Sequence, residues 1–287
     1  MKFDIAIVDA DSILYKVALS AQEVYYCVGD KRFPEKANAI TYIDKHGGEL
    51  TVEKESTKTM DEMVQYYDDT IDYIKDTTDS TKAFCYTGSK EENFRYAIAT
   101  IHPYKGNRAN TSPPLHLATL KQHLLDTGRL IHASPGMEAD DQVIIEMLKY
   151  EADDVPVVLC TIDKDSKQKD GWHFNFNTGD IGLIDSITAH ASFYKQLLTG
   201  DSTDNIPGLF GVGDKSKLVK DLSNMETEAE MFKHCYSQYD KRFGSYAERF
   251  CCENFRLLYM NRTENTEDGL ERFMWLHNEM LMRETND

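Results

Sequence analysis

Four short apolar runs, at residues 3–8, 83–86, 130–133 and 155–160, are separated by stretches of helical length and spacing, and this alternation most constrains the fold. Apolar runs this short, bounded by polar or turn residues, read as buried strands. The intervening segments 12–25, 60–75, 115–125 and 139–149 read as helices, the last with Val143, Met147 and Tyr150 on one stripe. Strands alternating with helices imply βαβ units and a parallel sheet, so the expected fold is α/β, a central mostly parallel sheet flanked by helices. Segments 172–176 and 181–184 flank the turn Asn177, Thr178, Gly179, Asp180 and read as a hairpin or edge strands; a second hairpin is expected between 42–44 and 50–52, around Gly47 and Gly48. After about Phe193 the strand signal fades and apolar residues recur at helical spacing, as in Phe255, Leu258 and Tyr259, then Phe273, Leu276 and Met280. The expected division is an α/β domain over 1–193 and a helical region over 194–287.

Acidic residues fall where the strands end. In an open parallel sheet that edge is where loops converge and ligands bind. The first strand ends in Asp9; Glu138, Asp140 and Asp141 follow the third; Asp163 and Asp165 follow the fourth; a later loop, GDSTDN, adds Asp201 and Asp204. Any one of these reads equally well as a helix cap or turn residue. Together they would repel one another strongly unless a cation is present. An all-oxygen set suits Mg²⁺ or Mn²⁺ rather than zinc, and two such ions can clamp the attacking and leaving oxygens of a phosphodiester.

The net charge of −17 at first opposes a nucleic-acid partner. Its distribution does not. Between Lys90 and Arg129 six basic residues face three acidic ones, and between Asn205 and Lys220 three lysines face one aspartate. Such stretches are also what ordinary solvated faces look like. Six cysteines without a CxxC pair read as reduced and structural. No apolar run approaches the roughly 20 residues of a membrane span, and no export signal is apparent, so a cytoplasmic location is expected.

The segments IVDAD (7–11), YKGNR (104–108), MEADDQV (137–143), TIDKD (161–165), GDSTDNIPG (200–208) and GVGDKS (211–216) occur in an order and spacing that resembles the 5′→3′ exonucleases and flap endonucleases of bacteriophages and of polymerase-linked nuclease domains. The resemblance extends to about Asp221. It implies a PIN-like or resolvase-like nuclease domain, a helical arch at about 90–128, and a helix-three-turn-helix DNA-binding motif in the C-terminal region. It further implies that Asp9, Glu138, Asp140, Asp141, Asp163, Asp165, Asp201 and Asp204 hold two metal ions, with Asp11 a helix-start residue. Lys105 and Arg108 would act on the scissile phosphate beside the catalytic Asp9 and Asp140. Tyr104, Lys105, Arg108, Gly208, Gly211, Gly213, Lys215 and Lys217 would contact DNA, with a potassium ion at the 208–213 turn.

The implied activity is hydrolysis near DNA 5′ ends by a monomeric enzyme, in phage replication or recombination, through primer removal or DNA degradation. A flap endonuclease is the alternative within the same chemistry, and an RNA-directed enzyme of related fold a more distant one. A DNA-binding protein with weakened catalysis is the alternative of another class. It is raised by Thr87, Gly88 and Ser89, which stand where the family's second strand ends in an aspartate. Glu91, Glu92 or Asp11 are candidates to replace that ligand.

Overall fold

The computed structural model describes residues 2–108 and 112–284. Its strands are β1 (Phe3–Asp9), β2 (Gln22–Val28), β3 (Lys31–Phe33), β4 (Leu50–Ser56), β5 (Ser80–Thr87), β6 (Ile131–His132), β7 (Val157–Cys160), β8 (Gly171–Asn175) and β9 (Asp180–Ile184). Its helices are α1 (Asp11–Ser20), α2 (Lys36–His46), α3 (Met60–Thr78), α4 (Phe94–Ile98), α5 (Leu117–Asp126), α6 (Ala139–Ala152), α7 (Ser186–Thr199), α8 (Lys217–Asp221), α9 (Glu228–Phe243), α10 (Ala247–Leu258) and α11 (Asp268–Glu284). The chain forms two compact units, one of residues 1–10, 74–111 and 131–287, the other of 11–73 and 112–130.

The first unit carries a six-stranded sheet in the order β6-β5-β1-β7-β8-β9, parallel except for the β8–β9 hairpin. The four expected strands and the 172–184 hairpin all form. From β1 the sheet is extended to one side by β5 and β6 and to the other by β7 and β8, so the direction of winding reverses between β1 and β7. That reversal opens a crevice beyond the strands' carboxyl ends, the usual ligand position in such sheets. Ile5, Ile7, Val157 and Leu159 of the sheet pack on Val143, Ile144 and Met147 of α6. A second core joins Phe193, Leu197, Phe232, Phe255 and Phe273, which makes α7, α9, α10 and α11 one helical body. A capping box, Thr227 with Glu230, heads α9.

The second unit differs from expectation in two places. The helix expected over 12–25 stops at Ser20, because the β-branched and aromatic run from Gln22 to Val28 pairs along its whole length with β4, from Gln22 opposite Ser56 to Val28 opposite Leu50. The 42–44/50–52 hairpin does not form. Residues from Lys36 to His46 are helical, and Gly47 ends the helix at φ 72 while the partner of β4 is β2. A three-stranded antiparallel sheet, β3-β2-β4, results. Lys54 of β4 donates to the carbonyls of Ser112 at 3.1 Å and Pro113 at 2.6 Å, tying that sheet to the segment that leads into α5.

Between 90 and 128 the described helical turns are α4, a 3-10 turn at Gly106–Arg108 and α5; part of the expected arch, 109–111, lies outside the described residues. All six cysteines are unpaired and five are buried. No helix among the described residues is long and apolar enough to cross a membrane.

Candidate active site

Asp9 closes β1 and is 8% exposed. The Thr161 hydroxyl, just past β7, donates to its Oδ2 at 3.3 Å and accepts from the amide of Asp163 at 3.1 Å, so one hydroxyl ties the two strand ends that flank the crevice. Asp163 in turn accepts from the amide of Asp165 at 2.8 Å and starts the 3-10 turn Lys164–Gln168.

Glu138, Asp140, Asp165, Asp201 and Asp204 line one cavity of about 20 Å³, with Arg95 and Tyr104 in its wall. That is room for about one water-sized occupant. Crowding shows in the proton affinities. Burial, then the neighbouring Glu138 and Asp141, pushes the Asp140 carboxyl well above the usual range. Burial, then Asp163 and Asp201, pushes Asp165 up to about 8. Burial also raises Asp204, outweighing Lys105. Burial acts the same way on Glu138, but Arg95, Lys105 and Tyr104 prevail and hold it below the usual carboxylate range.

Basic residues pair with two of these carboxylates. Lys105 pairs with Glu138 and lies 3.8 Å from Asp204, and Arg108 meets Asp204 at 2.6 Å. The two loops that carry these groups are buttoned together: Asn107 donates to the Ser202 carbonyl at 2.7 Å, and Asn205 to that of Pro103 at 2.9 Å. Lys105 and Asn205 both take positive φ, 53 and 61, a conformation that costs a side-chain-bearing residue about 1 kcal/mol or more and persists only where the surroundings enforce it. Glu253 of α10 helps enforce it by accepting the amides of Thr100 and Ile101, each at 2.7 Å, just upstream.

Oxygen donors of this kind suit a hard divalent cation, and the buried Asp165 Oδ1 has no hydrogen-bond partner, leaving a lone pair for one. As the side chains stand, no three His, Cys, Asp or Glu residues among those described converge as a metal-holding group. The ammonium and guanidinium groups of Lys105 and Arg108 take oxygens of Glu138 and Asp204 instead.

Three of the expected site residues have other contacts as the side chains stand. Asp141 does not join the cavity: it is fully buried, its two oxygens accept from Arg95 at 2.7 and 2.8 Å, and one also takes the Asn261 amide at 2.8 Å. Tyr104 is 4% exposed and donates toward Glu138 and Asp204, at 2.8 and 2.9 Å, so its ring is not free to meet DNA. Gly208 is buried against Gly200: both have positive φ, and a Cβ on either would fall on the other's backbone. Gly211 and Gly213, by contrast, have open space where a Cβ would stand, and Lys215 and Lys217 are exposed.

No protein-family model matches the chain. It is 32% identical over 126 residues, 40% of its length, to DNA polymerase I of Pseudomonas aeruginosa, and 33% identical over 141 residues, 43% of its length, to the thermostable DNA polymerase I of Thermus aquaticus. These matches span only 14% and 16% of the two polymerases. A crystal structure of the bacteriophage T5 flap endonuclease, a pseudo-enzyme–product complex with DNA and metal ions, aligns with a TM-score of 0.50 over 89% of this chain and 99% of that one, at 15% identity. The chain has the fold of the T5 flap endonuclease.

Within that fold the residue the sequence reading missed is Arg95. It is 2% exposed, bridges Asp141 and Glu138, and donates to the carbonyls of Leu257 at 3.0 Å and Tyr259 at 2.9 Å. Nothing local distinguishes it in AFCYTGSKEENFR, where it counts only as one more positive charge. At the end of β5, where an aspartate was expected, Thr87 is buried and Ser89 is spent on the neighbouring turn, accepting from the Gly136 amide at 3.1 Å.

Proposed function

We propose that this chain is a divalent-metal-dependent 5′→3′ exodeoxyribonuclease that hydrolyses phosphodiester bonds near DNA 5′ ends. The observation that carries the reading is the cavity lined by five carboxylates from three separate stretches of the chain, whose Glu138 and Asp204 pair with Lys105 and Arg108. The fold held in common with the T5 flap endonuclease, described in complex with DNA and metal ions, and the local matches to DNA polymerase I support it. Glu138, Asp140, Asp165, Asp201 and Asp204, with Asp9 and Asp163 beside them, would hold two Mg²⁺ or Mn²⁺ ions. Bound there, such ions would supply Lewis-acid activation of the phosphodiester and of a water.

The chain's own residues orient and neutralise. Lys105 and Arg108 exchange Glu138 and Asp204 for the scissile phosphate and offset charge as it develops. Arg95 fixes Glu138 and the start of α6. Residues 194–287 hold the duplex, with Gly211 and Gly213 giving the phosphate backbone close access, Lys215 and Lys217 adding charge, and a potassium ion at the 208–213 turn. The product carries a 5′-phosphate. A monomer acting in a host cytoplasm, on primers or on DNA during phage replication, is the context this activity fits.

Thr87, Gly88 and Ser89, in place of an acidic strand end, favour a second reading: a DNA-binding protein with weakened catalysis. Cleavage of 5′- and 3′-labelled duplex, nicked, flapped and RNA-primed substrates in Mg²⁺ separates the possibilities. Loss of the 5′ label, abolished by Asp163→Asn, is the expected result, and the ratio of blunt to flap cleavage assigns exonuclease or flap preference. Intact substrates at high enzyme concentration would sink the enzymatic reading.

A further inference from the structure

A second pocket, of about 340 Å³, shares Asp165 with the acidic cavity but is lined by three lysines, Lys164, Lys167 and Lys195. Lys164 and Lys167 stand on the 3-10 turn after β7, and Lys195 on α7. Two carboxylates, Asp165 and Asp214, also line it, so three ammonium groups face two acids and the pocket is locally positive in a chain of net charge −17. Lys195 meets Asp214 at 3.1 Å, but both side chains are largely in water, 42% and 69% exposed, where such a pair contributes little. Lys164 is 3.9 Å from Asp165, beyond hydrogen-bond reach, and Lys167 makes no ion pair among the described residues. Gln196 adds an amide to the lining. Lysine is a point-charge binder of phosphate and tolerates any approach direction.

We propose that this pocket, which has Asp214 of the Gly211–Lys215 turn in its wall, binds a phosphate group adjacent to the site of cleavage. The proposal rests on the nuclease reading. Two sources present the same chemistry: a backbone phosphate of the substrate strand, and the phosphate of a released 5′-mononucleotide. The position beside Asp165 suits either one, since the pocket borders the cavity where the bond would be cut.

The test is equilibrium binding of a 5′-phosphorylated duplex to the full chain in EDTA across a salt series, for wild type, Lys164→Ala, Lys167→Ala, Lys195→Ala and, as a remote control, Lys82→Ala near the amino end of β5. If a backbone phosphate occupies the pocket, the pocket variants bind several-fold more weakly and the slope of log K against log salt falls by about 0.9 for each lysine–phosphate pair removed, while the control is unchanged. If a released nucleotide occupies it, duplex binding is unaltered, but deoxynucleoside 5′-monophosphate inhibits cleavage by wild type and loses that effect in Lys167→Ala. Pocket variants that match wild type in both measurements, at unchanged Tm, overturn the proposal while leaving the nuclease reading intact. A wild type that neither binds nor cuts DNA overturns both.

Discussion

The backbone amide of Lys105 donates to the carbonyl of Asp204 at 2.9 Å, while the ammonium of the same lysine lies 3.8 Å from the Asp204 carboxylate. Two loops far apart in sequence are thus joined at both backbone and side chain, and the lysine is aimed into the acidic cavity by a positive-φ backbone. Lys105→Ala should keep the backbone bond and lose the charge. Its expected effect is a fall in kcat of about a hundredfold or more, with little change in Tm, read in single-turnover cleavage of 5′-labelled duplex.

Asp140 sits among acids and resists ionisation. Asparagine is neutral at every pH and avoids the cost of either ionising there or holding a proton to fold, so Asp140→Asn should raise the Tm of the metal-free protein while lowering Mg²⁺-dependent cleavage by two orders of magnitude or more. A stable, inactive variant is the signature of a functional group held against the fold's preference. A lowered Tm together with retained cleavage would refute this.

The Arg95–Asp141 pair is buried on both sides. Arg95→Met alone leaves an uncompensated carboxylate and should cost about 3–5 kcal/mol in urea unfolding. Arg95→Met combined with Asp141→Leu should recover most of that stability, because an apolar pair can replace a buried ion pair at small cost. Activity should not recover with stability, since Glu138 is without its guanidinium partner in both variants.

Gly200→Ala or Gly208→Ala places a methyl on the facing backbone at a positive-φ position, and each should destabilise the chain by more than about 1 kcal/mol. Gly213→Ala meets nothing within 4 Å. It should leave Tm unchanged and weaken duplex binding only, as judged by fluorescence anisotropy.

His173 on β8 donates its Nε2–H to the Lys169 carbonyl at 2.8 Å, and burial, aided by Lys169 and Lys167 against that hydrogen bond, pushes its imidazolium down to about 4. Unfolded, it titrates near 6.5. A depressed histidine stabilises the fold in its neutral form, so its contribution is complete above about pH 6.5 and is lost as pH falls towards 4, by at most about 3 kcal/mol. Comparison of Tm at pH 7.5 and 5 for wild type and His173→Gln should show a smaller acid destabilisation in the variant.

The parallel sheet and the helical C-terminal body were legible in the sequence because period and length of apolar runs report burial directly, as in 3–8 and 155–160. The 12–25 and 42–52 segments were not, because Gln22 to Val28 has the composition of a strand only once β4 is there to pair with it. Local pattern carries no information about a partner strand that lies beyond a turn, another strand and a helix.

The same division holds for the site. The sequence by itself determined that acids close the strands and that YKGNR and GDSTDN carry charge of opposite sign. Only the tertiary structure decided which of those charges are spent. It brings Glu138, Asp140, Asp165, Asp201 and Asp204 to one cavity, and commits Asp141 to Arg95, Tyr104 to the interior and Gly208 to Gly200. The reason is physical: a carboxylate's role is set by what desolvates and neutralises it, and those neighbours, such as Leu257, Tyr259 and Asn261 around Arg95 and Asp141, come from distant parts of the chain.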